Sequence, residues 1–180
     1  MKNKAICFIG IFLIGFTAIS CSTAKNAKGT TSPQIEEAVE QNTFKFMATR
    51  AHPLDQTVVN IMRQMDATGG HRILDIASGY YLSFNNQHIK GDLPYFGTRY
   101  QAKYGRTDDD GFKFDFKNAT IEKKRSARKT SFSIRPDKSR VIDMMYLEIF
   151  KNGKAHLSIS ANDRQSISYD GYITILDPEL

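Results

Sequence analysis

The chain has 180 residues and carries 25 lysines and arginines against 19 aspartates and glutamates, for a formal net charge of +6 at pH 7. This length is that of one domain, and the presence of only two cysteines excludes a small scaffold stapled by disulfides. The mildly basic balance is typical of an ordinary soluble surface and does not by itself indicate a polyanionic partner.

The first twenty residues predict a signal peptide. Two lysines precede an almost purely apolar run from Ala5 to Ile19. This run is too short for a comfortable membrane-spanning helix, which needs about 20 residues. We therefore expect residues 1–20 to be removed as the protein is secreted across the inner membrane. A retained N-terminal anchor helix is the alternative.

Cys21 follows the apolar run, within Ala18-Ile19-Ser20-Cys21. A small residue directly before a cysteine resembles the lipobox of bacterial lipoproteins, which implies that Cys21 is diacylated and becomes the new N-terminus. Two acyl chains are what stable membrane attachment requires. Cleavage after Ala24 would instead discard Cys21. The other cysteine, Cys7, lies in the signal, so acylation would leave no free thiol in the secreted chain.

Residues 21–32 are small, polar and free of aromatic rings, which is typical of a flexible tether. Fully extended, they reach about 40 Å. Some surface-exported lipoproteins carry an acidic cluster after the cysteine, and none follows Cys21. We therefore expect a lipid-anchored protein of the cell envelope that faces the periplasm at the outer membrane. Its expected partners are the membrane, through acylated Cys21, and an envelope protein, but no nucleic acid.

Residues 33–180 are predicted to form a single β-rich domain that opens with a helix. Ser32 before Pro33 is a typical helix start, and Ile35 and Val39 share one helical face.

A second short helix is predicted over residues 55–65, because apolar residues recur there at helical spacing. We expect these residues to be core residues: Val58, Ile61, Met62 and Met65.

The chain beyond residue 71 is predicted to consist of strands, and Phe44 to Ala48 also has strand character. The predicted strands are 72–76, 79–85, 88–93, 98–102, 112–117, 119–124, 130–135, 141–150, 154–161 and 166–175. Phenylalanine alternates with charged residues over 112–117, which indicates a sheet that is wet on one face.

Three hairpins are predicted, at Asn152-Gly153, at Asn85-Asn86 and over residues 125–129. Strands joined by such tight turns form an antiparallel meander, which must close or fold over to hide its edges. The predicted fold is therefore mainly β, either a barrel or a two-layer sandwich, with the two helices beside it.

The sequence contains no recognisable catalytic or metal-binding motif. Its four histidines, His52, His71, His88 and His156, stand far apart and form no His-Glu-x-x-His pair. Gly-x-Ser-x-Gly and phosphate-binding glycine loops are also missing. We therefore predict no catalytic residues, no metal site, no cofactor and a protein that is not an enzyme, although spatial convergence of distant residues stays open.

Two charged clusters have competing interpretations. Asp108-Asp109-Asp110-Gly111 does not fit the helix–loop–helix calcium loop, because Arg106 and Lys117 would occupy ligand positions. The two remaining interpretations of this segment are a looser calcium site and a solvated turn. The basic segment 123–129 predicts either contact with anionic headgroups or a hydrated turn that discourages edge-to-edge pairing.

The segment Leu93-Pro94-Tyr95-Phe96-Gly97 places two rings between a proline and a glycine. Proline is confined to strand starts, edges and bulges, and glycine permits a bend. One interpretation is a corner device that turns one hairpin onto the next. The other is an aromatic rim for an apolar or glycan ligand, formed by Tyr80, Tyr95, Phe96 and Tyr100.

Three blocks of sequence also carry a resemblance. They are Ser78–Leu82 with Leu93–Gly97 and Tyr100, then Asp110–Phe112 with Phe116, and finally Asn162–Ile173. Together they resemble an uncharacterised family of bacterial envelope lipoproteins catalogued as domain of unknown function 4251, over about residues 44–175. Residues 55–65 make this segment longer than the family usually has. The resemblance implies secretion, lipidation and a β-rich domain, but no activity.

Two functions are compatible with these patterns. The first is a non-catalytic, lipid-anchored envelope module that binds a partner protein or maintains envelope structure. The second is a β-barrel that carries a small apolar or glycan ligand, since a barrel of about eight strands has room for one such molecule.

Overall fold

The computed structural model describes residues 32–54, 56–65, 75–100 and 111–176. In chain order the elements are α1 (Pro33–Glu40), β1 (Thr43–Pro53), α2 (Gln56–Met65), β2 (Tyr81–Asn85), β3 (His88–Leu93), β4 (Phe112–Phe116), β5 (Ala119–Arg125), β6 (Lys129–Pro136), β7 (Ile142–Phe150), β8 (Lys154–Ala161) and β9 (Ile167–Ile175). The predicted signal peptide, Cys21 and all of the predicted tether except Ser32 lie outside the described residues.

All nine strands belong to one antiparallel sheet in the order β4-β3-β2-β1-β9-β8-β7-β6-β5, and the sheet curls into a nearly closed barrel. The predicted mainly β fold is thereby confirmed, and the barrel is the correct one of the two predicted architectures. β1 and β9 are neighbours along a register that runs from Phe44↔Ile175 to Pro53↔Ile167. The two halves of the meander are therefore joined by the first and last strands, and β4 and β5 are left as the two edges.

The three predicted hairpins are confirmed. Asn86 joins β2 to β3 with φ 57°, and Gly153 precedes β8 with φ 76°, a left-handed conformation that suits asparagine and glycine. In the third hairpin, Ser126 and Lys129 close the turn through a hydrogen bond from the Ser126 amide to the Lys129 carbonyl at 2.9 Å.

Two of the predicted strands, 72–76 and 98–102, are not strands over the residues that the structure describes, and residues 101–102 lie outside them. Over residues 98–100 only Arg99 forms an isolated bridge, with Arg164, because this segment crosses from β3 back to the chain before β9 instead of joining the sheet. In the predicted strand 72–76, Asp75 likewise forms only an isolated bridge, with Arg50, while residues 72–74 lie outside the described residues.

Helix α1 begins as predicted, with Ser32 as N-cap and Pro33 in the first turn, and Val39 is buried against the barrel. Its C-terminal end is held by Lys123 of β5, whose Nζ donates to the carbonyls of Val39 (2.8 Å) and Glu40 (3.1 Å). Lys123 also pairs with the Glu40 carboxylate, as does Arg125. The hydrogen bond from Lys123 is the main reason that the pKa of Glu40 is lowered.

Helix α2 is present as predicted, but one expected core residue is wrong: Ile61 is 51% exposed. Helical spacing creates an apolar face, yet burial also needs a surface opposite that face. The side chains of Val58, Met62 and Met65 lie outside what the structure describes. Within the described ranges, neither helix has the length and apolarity required to cross a bilayer.

The barrel interior is filled by alternate residues of the strands. The rings of Phe44, Phe84 and Phe132 come from β1, β2 and β6, and all three are fully buried. Phe44 stacks on Phe84 with centroids 4.4 Å apart, and the Phe132 centroid lies 5.4 Å from that of Phe44 and 5.6 Å from that of Phe84. The two half-sheets are therefore held together by aromatic packing across the interior, and no ninth ladder joins the edge strands β4 and β5 among the described residues.

Candidate functional site

The Leu93–Gly97 segment leaves β3 and packs against the end of the core. Leu93 is fully buried, and Tyr95 and Phe96 are half-buried against the core. The fully buried Tyr169 of β9 donates its hydroxyl to the Pro94 carbonyl at 2.6 Å. Burial raises the pKa of Tyr169 above its ordinary value, so this hydroxyl remains a donor at alkaline pH as well.

Arg164 lies beside this segment and is only 3% exposed. Its guanidinium carbon is 4.9 Å from the Tyr95 ring centroid and 4.7 Å from that of Phe112. Two of its nitrogens donate to the Asp163 carboxylate, at 2.9 and 3.1 Å. The hydrogen bonding from Arg164 lowers the pKa of Asp163, against the opposing effect of partial burial.

Backbone hydrogen bonds bring the same segments together. The Tyr100 amide donates to the Asp163 carbonyl at 2.9 Å, and the Gln165 amide donates to the Thr98 carbonyl at 3.1 Å. The segment after β3, the start of β4 and the segment before β9 therefore meet around one buried guanidinium. These are parts of the three sequence blocks that carry the family resemblance.

The four residues predicted as an aromatic rim occupy different environments. Tyr80, Tyr95 and Phe96 are partly buried and pack against the core, whereas Tyr100 is 65% exposed. Of the four, Tyr95 is the one placed in contact with Arg164 and Phe112. Their role in ligand binding stays a prediction.

A cleft of about 420 Å³ opens between β4 and the segment that joins β6 to β7, and we call it the seam cleft. Its lining combines an apolar floor with cationic side chains and contains no carboxylate among the described residues. The floor consists of Phe112, Phe114, Phe116, Val141 and Ile142, and the cations are Arg99, Lys113, Lys138, Arg140 and Arg164. Sequence reasoning missed this cleft because its residues come from four separate segments.

The floor of the seam cleft is accessible because β4 is an edge strand. The tip of the Phe114 ring lies over Gly91 of β3, where a Cβ atom would come within 2.4 Å of it. Phe114 stacks on Phe116 with centroids 4.8 Å apart, and both rings are half-buried. Among the described residues, no further strand pairs with the free edge of β4. One side of these inward-facing rings is therefore open to the cleft.

A second cluster lies on the outer face of the sheet, in an open groove of about 840 Å³. Asp170 of β9 lies between His52 Nε2 and His156 Nδ1, each 2.7 Å from one carboxylate oxygen. Partial burial acts to raise the pKa of Asp170, but the hydrogen bonds from His156 and His52 outweigh it, and the pKa is lowered. The spacing of these three residues in the sequence contains no signal that they meet.

This cluster is arranged for mutual pairing rather than for attack on a substrate. The nearby Thr49 hydroxyl donates to the Asp170 main-chain carbonyl at 3.1 Å instead of to an imidazole. Within the described ranges, no three ligating side chains are arranged to hold a metal ion. Asp170 and the two histidines therefore form a polar bridge across β1, β9 and β8.

Replacing Arg164 with glutamine should lower the free energy of unfolding by about 3 kcal/mol, because it leaves the Asp163 carboxylate without its partner in a largely buried position. Urea unfolding followed by circular dichroism measures this loss. The exposed Arg135→Gln variant is the control and should change stability by less than about 0.5 kcal/mol. A loss in Arg164→Gln as small as in the control would contradict the importance of this buried pair.

The variant Asp170→Asn should be less stable than the wild type by about 1 kcal/mol at pH 6, as expected for exposed ion pairs. Because the folded-state pKa of Asp170 lies below its ordinary value of 3.8, its carboxylate stabilises the fold above that pH. The difference should shrink as pH falls through the lowered pKa, where wild-type Asp170 is protonated too. Thermal unfolding at several pH values tests this, with the exposed Asp143→Asn as control. A difference that persists at the lowest pH would show that the charge is not responsible.

Comparison with known proteins identifies the same family that the blocks meeting around Arg164 resemble. A family model described as Domain of unknown function (DUF4251) matches residues 26–173, which include every strand up to most of β9. No curated protein matches the chain. The chain therefore belongs to the family of Domain of unknown function (DUF4251) proteins.

Proposed function

We propose that this protein is a non-catalytic, lipid-anchored protein of the cell envelope whose barrel is a binding module. The observation that carries the proposal is the seam cleft, which lies beside a densely packed interior. The middle of the barrel is filled by Phe44, Phe84 and Phe132. We therefore assign the binding of a ligand or partner to the surface at the open seam. A mixed apolar and charged concavity of this kind is typical of a binding site.

We also propose that the protein has no catalytic activity. The proposal is supported by the contacts of two charged groups, Asp170 and Arg164, which are engaged by neighbouring side chains. Both carboxylate oxygens of Asp170 are engaged by His52 and His156. The Arg164 guanidinium is engaged by Asp163 and by two rings. These side chains hold the fold and each other, and none of these contacts pairs a nucleophile with a base.

Anchoring through Cys21 is supported by the position of the first helix. Ser32 caps α1 and the helix end is held by Lys123, so the barrel begins directly after the predicted tether. A tether of about 40 Å would keep the module close to the membrane that holds the acyl chains. We place the protein at the outer membrane, facing the periplasm.

The module has two candidate binding partners: an envelope protein, and a small apolar or glycan ligand. The volume of the seam cleft, about 420 Å³, lies in the range of small-molecule pockets and favours the small ligand as a second candidate function. A structural or partner-binding role would use the outer surface of the barrel.

Cells that express the wild-type chain should incorporate labelled palmitate into it and retain it in the membrane fraction, whereas Cys21→Ala should lose the label and its retention. The matched control is Cys7→Ala, which removes the other cysteine and should leave labelling unchanged. Continued labelling of the Cys21→Ala variant would refute the assignment of the acylated residue.

Freshly purified protein should retain a noncovalent mass in native mass spectrometry, or crosslinking in intact cells should trap it with a discrete partner protein. The first result supports a ligand carrier, and the second supports a partner-binding module. A bare mass together with monomer alone under several crosslinking chemistries would contradict the proposed binding function.

A further inference from the structure

We propose that the seam cleft binds a single-headed anionic amphiphile, that is, a carboxylate or phosphate group attached to an aliphatic or aromatic body. This inference rests on the proposed binding function and names the class of ligand. It is carried by two features of the same small cleft: cations with no lining carboxylate among the described residues, and an aromatic floor that is partly exposed.

The cations of the domain differ in whether a carboxylate pairs with them. Arg50 pairs with Asp75 and Lys129 with Glu148, and within the cleft Arg164 pairs with Asp163. Lys138 and Arg140 are exposed at the cleft and make no ion pair within the described part of the chain. Cations gathered without a carboxylate raise the local potential and attract anions.

The segment that carries these cations is held in one conformation. The Ile142 amide donates to the Ser139 hydroxyl at 2.9 Å, and the Asn162 amide donates to the Val141 carbonyl at 2.8 Å. Lys138 adopts a left-handed backbone conformation, with φ 59°. A fixed segment presents its charges with little loss of conformational entropy on binding.

The floor provides a surface for the apolar part of the ligand. The stacked rings of Phe114 and Phe116 are half-exposed next to Val141 and Ile142, while Phe112 closes the floor. Burial of hydrocarbon against this surface contributes about 25 cal/mol per Å² of apolar area. A headgroup at Lys138 and Arg140 would place the attached body over these rings.

The dimensions and charge favour this occupant over the others. A volume of about 420 Å³ is that of a small-molecule pocket, whereas a stable protein interface is an extended surface that buries more than about 1,000 Å². A neutral glycan would leave Lys138 and Arg140 unmatched, and a metal cation would be repelled by them. An anion with an apolar body uses both features of the cleft.

The test is displacement of the fluorescent anion 1-anilinonaphthalene-8-sulfonate from the purified full chain. Decanoate and decyl phosphate should displace the probe about ten-fold more effectively than 1-decanol, which lacks the charge, or inorganic phosphate, which lacks the body. Comparing decanoate with decyl phosphate identifies which headgroup the cleft prefers. Raising NaCl from about 50 to about 500 mM should weaken the displacement by both anions.

The double variant Lys138→Glu/Arg140→Glu should bind decanoate about ten-fold more weakly. The matched control, Lys124→Glu/Arg128→Glu, makes the same change of net charge at exposed positions outside the cleft and should change affinity by less than about two-fold. Unfolding curves of both variants should match the wild type, because all four side chains are exposed.

The proposal is overturned if decanol displaces the probe as well as decanoate does, if both double variants lose affinity equally, or if neither anion binds. Displacement by an acidic peptide but not by the single-headed anions would make the cleft a peptide site and would also overturn it. If the seam cleft does not bind these anions, the broader binding function can still be tested, because native mass spectrometry and crosslinking test it independently.

Discussion

The buried guanidinium of Arg164 is the constraint on which the rest of this end of the barrel depends. A charge that is almost completely removed from water must be compensated, and here Asp163 supplies the opposite charge while Tyr95 and Phe112 supply ring faces. Segments distant in sequence must therefore meet around it. The same guanidinium forms part of the wall of the seam cleft, so the interaction that organises the fold also shapes the candidate site.

The second feature that links fold to function is the incomplete closure of the barrel. Pairing of β1 with β9 joins the two halves of the meander, whereas β4 and β5 remain edges of the same sheet. The central rings of Phe44, Phe84 and Phe132 make the interior solid and keep the two halves together. The consequence is a packed barrel with an open seam, in which Phe114 and Phe116 stay accessible and cations collect opposite them.

The outer face shows how charged residues are accommodated on a curved sheet without forming a reactive centre. Asp170 lies between two histidines across three strands, and Lys129 pairs with Glu148 farther along the same surface. Cross-strand pairs of this kind stabilise a sheet modestly and reduce charge repulsion. The helix end at Glu40 is held in a similar way by Lys123 and Arg125, which gives part of the basic 123–129 segment a role inside the domain.

Local pattern in the sequence was sufficient to predict what depends on neighbours along the chain. Alternation in Phe112–Phe116, the Asn152-Gly153 turn and the Ser32-Pro33 helix start each act over a few residues, and their predicted structures are present. The nearly closed barrel, the exposure of Ile61, the meeting of His52 with His156 and Asp170, and the seam cleft were decided by the tertiary structure alone. Each of these requires residues from separate strands or helices to share one place, and that depends on the order of strands and on which surface faces which, neither of which is encoded in a short stretch of sequence.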